Sequence, residues 1–409
     1  RDRSPSRGLG DVYKRQTLTL GVLVLFSLFP VSAQQSAPRS GYKFKEIKDI
    51  PVTSVKNQAN TGTCWCFATI SFLEAELLRQ HNKTYDLSEM FVVRNAYFEK
   101  GMRYFRFQGT TNFSQGGQAH DVIDMISKYG IVPEQEYPGL QYGTTNHSHG
   151  EFVNGLSGYI QGINKSRGIT TAWPNAFMAI IETYLGKAPE TFTYEGKKYT
   201  PESFAKEIGI QPEDYIELTS YQAYPFYQQV ELEIPDNWLH ARYYNVPLDD
   251  LMAIMNNALK NGYTIAWDGD VSEKGFSHSN GLAILPTSQP ENMSSSDRAR
   301  FEKLPAADKS NLYSFVSPVP EIQVNDNNRQ ETFDKRETTD DHLMHLTGLL
   351  EDQNGTLYYK TKNSWGTDRN PFEGYLYMSE PYVRMKTTAI LVHKNAIPQA
   401  IKEKLGIKN

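Results

Sequence analysis

Apolar residues at Phe67, Ile70, Leu73, Leu77 and Leu78 recur at a spacing near 3.6, which predicts a helix that begins at Cys64. A second helical pattern, Ala119, Val122, Ile123 and Ile126, follows Gly116-Gly117 and ends at Tyr129-Gly130. Towards the other end of the chain the period changes. Asp341-His342-Leu343-Met344-His345-Leu346-Thr347-Gly348-Leu349 reads as a half-polar entry into an apolar strand. Leu357-Tyr358-Tyr359-Lys360 reads as its partner, returning from a turn at Gln353-Asn354-Gly355. Ser294-Ser295-Ser296 and the polar run 325–341 read as surface loops. The second leads directly into His342, where a mobile segment would gate a site.

Candidate chemistry begins at the first helix. A cysteine attacks only as thiolate, and its free pKa of about 8.5 must be lowered for that, by a helix N-terminus or more strongly by a nearby imidazolium. Cys64 opens the predicted helix, and the Gln58 amide six residues earlier is placed to share an oxyanion's charge with the Cys64 backbone N–H. Such a nucleophile needs a base and a third group that fixes the base's tautomer. The predicted hairpin brings His342 and Asn363 side by side. His345 is the rival base, but its odd offset along a strand turns it to the opposite face. Taken alone, Cys64 would be a buried small apolar residue. A histidine with no partner in the pattern is a satisfied or exposed side chain, which applies to His81, His120, His147, His149, His240, His278 and His393.

The stretch Gln58-Ala59-Asn60-Thr61-Gly62-Thr63-Cys64-Trp65 resembles the active-site segment of papain-like cysteine peptidases, where Gln and then Gly-x-Cys-Trp stand at this spacing. In that family the histidine lies six residues before a glycine and is followed by Asn-Ser-Trp-Gly. Here those are His342, Gly348 and Asn363-Ser364-Trp365-Gly366. The resemblance implies Cys64 as nucleophile, His342 as base, Asn363 as its orienting amide, Gln58 as oxyanion donor and Trp365 as the indole shielding the His–Asn bond. It also implies that Gly116-Gly117 binds the substrate main chain by β-type hydrogen bonds, and Tyr137-Pro138 matches the same pattern. Gly116, Gly117 and Trp365 are thus the expected substrate-side residues. Thr61 stands where secreted members usually carry a cysteine, so their disulfide is absent here.

From Cys64 to His342 is 278 residues and to Asn363 is 299, whereas ordinary papain-like domains use about 130–150. The stretches around Pro189–Glu195, Tyr199–Phe204, Pro247–Leu251 and Gly262–Val271 are similar to those of the bleomycin hydrolase and bacterial aminopeptidase C branch, which has a helical hook inserted in a papain core. The implied fold is α+β, a papain-like pair of lobes with a largely helical insertion. Its expected parts are an N-terminal strand and helical lobe at 34–139, the insertion at 140–249, and a β-rich lobe with C-terminal tail at 250–409. Members of that branch assemble as hexameric barrels and trim amino-terminal residues, using a C-terminal arm to block the cleft. This sequence stops at Lys408-Asn409, which predicts a more open cleft. The expectation is an aminopeptidase, with an endopeptidase or oligopeptidase as the alternative, and a catalytically silent binding protein as the alternative of another class.

Composition narrows the setting. With 409 residues and 39% hydrophobic content the chain has core enough for one elaborated domain or two smaller ones. Leu18 to Phe29 are almost wholly apolar, follow Lys14-Arg15 and precede Val31-Ser32-Ala33. That run is too short to span a bilayer and reads as a signal peptide over 1–33, with an uncleaved anchor as the alternative. The implied location is periplasmic or extracellular, with no membrane association after cleavage. Residues 1–15 lack an initiator Met and are set aside from fold reasoning. Without 1–33 the chain carries 37 basic against 45 acidic residues, net −8, which disfavours a nucleic-acid partner. Cys64 and Cys66 are the only cysteines, and on a helix they diverge by about 200°, so they form no disulfide and Cys66 packs inside. No metal-ligand spacing or phosphate loop is present, so no cofactor or metal is expected, and the implied partner is a peptide or protein substrate.

Overall fold

Helix α1 (Cys64–His81) is buried on nearly every side from Cys64 to Leu77, the signature of a helix held between two layers. The computed structural model describes residues 41–408. The apolar run 18–29, the cleavage pattern at 31–33 and the leader 1–15 lie outside the described residues. On one side α1 packs against α2 (Glu89–Arg106) and α3 (Ala119–Tyr129). Outside them lie α4 (Gly150–Lys165) and α5 (Trp173–Leu185), whose Phe152, Leu156, Ile160, Phe177 and Ile181 complete the helical lobe's core. A small hairpin, β1 (Phe192–Tyr194) with β2 (Lys197–Tyr199), and α6 (Pro201–Ile208) close that lobe.

On its other side α1 meets a large sheet. Its first members are β3 (Tyr215–Thr219), β4 (Gln228–Glu231) and β5 (Arg242–Asn245), so the second half of 140–249 extends the sheet rather than the helical layer. After α7 (Leu248–Lys260) come β6 (Ile265–Gly269) and two short strands, β7 (Phe276–Ser277) and β8 (Leu282–Ala283). Three short helices, α8 (Ser295–Lys303), α9 (Ala306–Ser310) and α10 (Asp326–Asp334), lead to the hairpin of β9 (His342–Glu351) and β10 (Leu357–Lys362). The chain continues through β11 (Tyr375–Ser379), α11 (Glu380–Lys386), β12 (Thr387–His393) and α12 (Gln399–Leu405). Among the described residues the sheet runs β4-β5-β3-β12-β6-β9-β10-β11-β8-β7, and an early strand, Lys45–Asp49, pairs with the far half of β9.

Alternation along the strands gives each face its own core. Ile265, Trp267, Met344 and Leu346 point to the core under α7 and α12, whereas Ala266, Leu343 and Leu391 point to the helical lobe. The expected α+β pair of lobes is therefore present, with α1 at the seam. The β9–β10 turn is tied by Asp352 Oδ1, which accepts from the backbone N–H of Asn354 and of Thr356 at 2.8 and 2.9 Å, and Gly355 takes φ +83°.

Two stretches expected as loops are helical. Ser294 is the N-cap of α8, accepting from Asp297 N at 3.1 Å, and Asn325 caps α10 by accepting from Asn327 N and Asn328 N. Short polar helices carry little apolar periodicity, so their caps are the only sequence signal. The 325–341 run is also pinned. Arg329, 1% exposed, donates to the carbonyls of Ser220, Arg384, Met385 and Thr387 and lies 4.6 Å from the Tyr221 ring centre. Replacing it leaves four buried carbonyls without a donor. We expect Arg329→Leu to lower unfolding stability by about 3 kcal/mol or more, read as a shifted urea midpoint; an unchanged midpoint would show the fork to be dispensable.

Candidate active site

Cys64 is the first residue of α1 and is 8% exposed. Its N–H belongs to the first turn and has no carbonyl partner within the helix. The turn before it is fixed from two directions: Gly62 N donates to Gln115 Oε1 at 2.8 Å, and the Trp65 indole donates to Gln115 O at 2.9 Å. Cys66 is fully buried on the other side of α1, its thiol directed to Glu89 O at 3.3 Å, and both cysteines are free.

His342 begins β9 and is also buried. Its Nε2 lies 2.9 Å from Asn363 Oδ1. An amide oxygen only accepts, so Nε2 carries the hydrogen and Nδ1 keeps the lone pair. Asn363 follows β10 directly, and its oxygen also accepts from Ser364 N at 2.7 Å, which fixes the amide's orientation. The Trp365 ring is 4.8 Å from the His342 ring at 35°, covering the His–Asn pair. Next to His342, the Leu343 backbone N–H faces the Cys64 sulfur and favours its anion. The structure thus brings the start of α1 and the start of β9 to one point.

His345 is elsewhere. Its Nδ1 is 2.9 Å from Ser71 Oγ and its ring is edge-on to Phe72, both on α1 well beyond the thiol. Gln58 sits in a segment laced to the Asn363 loop: its N–H donates to Ser364 O at 2.8 Å, and its Oε1 accepts from Ser364 Oγ at 2.6 Å. That contact directs the Gln58 NH₂ the other way. One hydrogen goes to Thr61 O at 2.7 Å, leaving the second for a ligand oxygen.

Gly117 packs so tightly on Trp65 that a Cβ would stand 3.0 Å from its ring. Gly116 is as crowded, because a Cβ there would meet Asp236 Oδ2 at 1.8 Å. The Gly116 carbonyl accepts from the buried Lys100 ammonium.

Several residues of this region carry no sequence signal. His278 lies on the turn between β7 and β8, 85 positions from Asn363, and its Nδ1 faces Asn363 Nδ2 at 3.4 Å while its ring stacks edge-on to Trp365 at 4.9 Å. Asp236, Asp268 and Asp340 come from three separate segments and converge on the thiol's surroundings. Only distance in space, not spacing in sequence, relates them.

Burial opposes charge on both reacting groups. It pushes the Cys64 thiol up to about 12, an effect that the Leu343 N–H counters and the carboxylates of Asp268, Asp236 and Asp340 reinforce. It also pulls the His342 imidazole down to about 4, against the Asn363 hydrogen bond and with help from His278. At neutral pH the resting pair is therefore thiol and neutral imidazole.

Residues 41–183 match the model of the papain family cysteine proteases, and residues 299–408 match that of the peptidase C1-like family. Aminopeptidase C of Lactobacillus delbrueckii subsp. lactis is 24% identical over 400 residues, covering 87% of this chain and 82% of the relative. Bleomycin hydrolase of Gallus gallus is 24% identical over 402 residues, covering 85% and 81%. Among solved structures, PepW from Lactobacillus rhamnosis HN001 superposes with a TM-score of 0.67 at 20% identity, covering 88% of this chain and 84% of that one. The segment that carries Cys64 thus matches the papain family of cysteine proteases and the segment that carries His342 the peptidase C1-like family, and over most of its length the chain is similar to aminopeptidase C and bleomycin hydrolase.

Proposed function

We propose that the chain is an exported aminopeptidase that works through Cys64, His342, Asn363 and Gln58. The observation that carries this reading is the 2.9 Å contact of His342 Nε2 with Asn363 Oδ1, because it leaves Nδ1 as the free base beside the helix start that holds the thiol. Aminopeptidase action is supported by the names of the relatives, among them aminopeptidases C and G of Lactobacillus delbrueckii subsp. lactis. Export is supported by the apolar run Leu18 to Phe29 and the small residues ending at Ala33.

In this mechanism Cys64 Sγ forms a bond to the scissile carbonyl carbon as its proton passes to His342 Nδ1. The carbonyl pair moves onto oxygen, where the Cys64 N–H and the free Gln58 N–H hold the negative charge. The C–N bond then breaks, and His342 hands its proton to the departing amine. Water adds to the thioester with His342 again taking a proton, and the C–S bond breaks to give the free acid and the thiol. Asn363 keeps the ring in the tautomer that makes Nδ1 the base, and Trp365 keeps water from that bond.

Four outcomes test the proposal. Cys64→Ala should fold normally and lose turnover by about 10⁴-fold or more, and the native enzyme should cleave a free-amine peptide far faster than its N-acetylated twin. Residual hydrolysis in the variant removes Cys64 from the chemistry, and equal rates on the twins remove amino-terminal selectivity. The pH profile has a definite sign. A ring held down to about 4 stays neutral, and so able to accept the thiol proton, until the pH falls through about 4. The acid limb of kcat/KM should therefore lie near pH 4, and a limb near 6.5 would mean a solvated imidazole. For export, N-terminal sequencing of the protein recovered outside the cytoplasm should begin at Gln34, and an intact leader on that protein argues for an anchor.

A further inference from the structure

The segment Leu232 to Ala241 has no role in the mechanism above, yet it delivers a carboxylate to the cleft. Its shape is fixed from within. Asn237 Nδ2 donates to Leu232 O and Ala241 O at 3.0 and 3.1 Å, and its Oδ1 accepts from Ala241 N at 2.9 Å. Trp238 anchors it to α3, the indole donating to Asp121 Oδ2 at 2.6 Å. Between these anchors Asp236 leans over Gly116. Its Oδ1 accepts from Asn112 Nδ2 at 3.0 Å and Ser114 Oγ at 3.3 Å, while its Oδ2 lies against the Gly116 Cα and accepts no hydrogen bond from the described residues. A carboxylate held this firmly needs no reorganisation to meet a cation.

Asp236 is not alone. Asp268 points from β6 to the same side as Ala266, towards the helical lobe. It is 2% exposed, and Thr388 Oγ1 donates to its Oδ2. Its other oxygen meets Asp340, whose Oδ1 accepts from Gln118 Nε2 at 3.0 Å; burial, with the neighbouring carboxylate charge, pushes Asp268 well up and Asp340 up to about 7, so Asp268 keeps a proton that it donates to Asp340. The one ammonium nearby, on Lys100, is committed to Ser114 O and Gly116 O. The described residues therefore leave Asp236 Oδ2 open on the cleft side.

We infer that Asp236 and Asp340 form the recognition site for the substrate's ammonium group, its free amino terminus, and so determine which peptides this enzyme accepts. This rests on the aminopeptidase reading given above. The geometry of a peptide explains the consequence. A terminal nitrogen is only two bonds from its own carbonyl carbon, and each further residue moves it away by about 3.5 Å. A carboxylate packed over Gly116, next to the Gly117 that lies against Trp65, selects chains that begin within a few residues of the cleaved bond. The same carboxylates disfavour the thiolate in the empty enzyme, and an arriving ammonium cancels that effect, so the proper substrate also favours its own attack.

The test uses the full chain and four peptides: a free-amine peptide, its N-acetylated twin, and two N-acetylated peptides with Lys or norleucine next to the cleaved bond. The native enzyme should favour the free amine by about 10- to 100-fold in kcat/KM, and Asp236→Asn or Asp340→Asn should bring that ratio towards one, chiefly through KM. A ratio unchanged in both variants overturns this site while leaving the aminopeptidase reading intact. A ratio of one in the native enzyme overturns both. A Lys-over-norleucine preference that Asp236→Asn abolishes supports the ammonium site with a side chain as its source. Should the variants fail to fold, leucinamide and N-acetyl-leucinamide are compared as protectants of native Cys64 against iodoacetamide. Stronger protection by the free amine supports the site, and equal protection overturns it.

Discussion

The candidate site of this protein depends on the packing of α1 against β9, which carry Cys64 and His342 as their first residues. The Leu343 N–H faces the Cys64 sulfur, and the residue before it is the imidazole held by Asn363. Neither lobe contains a site by itself. The lacing of residues 56–58 to 364–366, through Gln58 N to Ser364 O, Gly366 N to Lys56 O and Ser364 Oγ to Gln58 Oε1, holds Gln58 in register with Asn363 and its His342 partner. Because these bonds join segments some three hundred residues apart, the site forms only when the whole domain has closed.

Burial at this seam has to be reconciled with charge. Behind the thiol, Lys362 donates to Ser71 Oγ at 2.7 Å, and Ser71 in turn meets His345 Nδ1, so the second histidine of β9 is used structurally. Burial draws Lys362 down to about 8. Further along α1, Lys56 pairs with Glu89 at 2.8 Å and Asp86 at 2.7 Å. These groups have partners, as buried charges must. On the cleft side Asp268 and Asp340 share a proton, and Asp236 presents an oxygen that the described residues leave open.

Local signals served well where a residue's role is written in its neighbours. The helix at Cys64, the helix at Ala119 and the turn at Gly355 follow from periodicity and turn chemistry over a few positions. The polar runs at 294–296 and 325–341 were harder, since a short helix stabilised by caps and by one buried arginine has almost no apolar repeat to detect. His278 and the three carboxylates left no trace of their proximity, because they sit on a turn, a loop, a strand interior and a strand entry with unrelated spacing.

What the sequence determined unaided is the type of chemistry available. A cysteine at a helix start with an amide six residues earlier, and a histidine and an asparagine flanking a hairpin, are fixed by secondary structure and need only short-range order. The odd offset between the two histidines already separated them along the strand, and tertiary structure decided what each one meets and what surrounds the thiol. Strand pairing and lobe closure sum many weak long-range contacts. The placement of Asp236 over Gly116 is therefore a property of the folded whole, and no local stretch of residues encodes it.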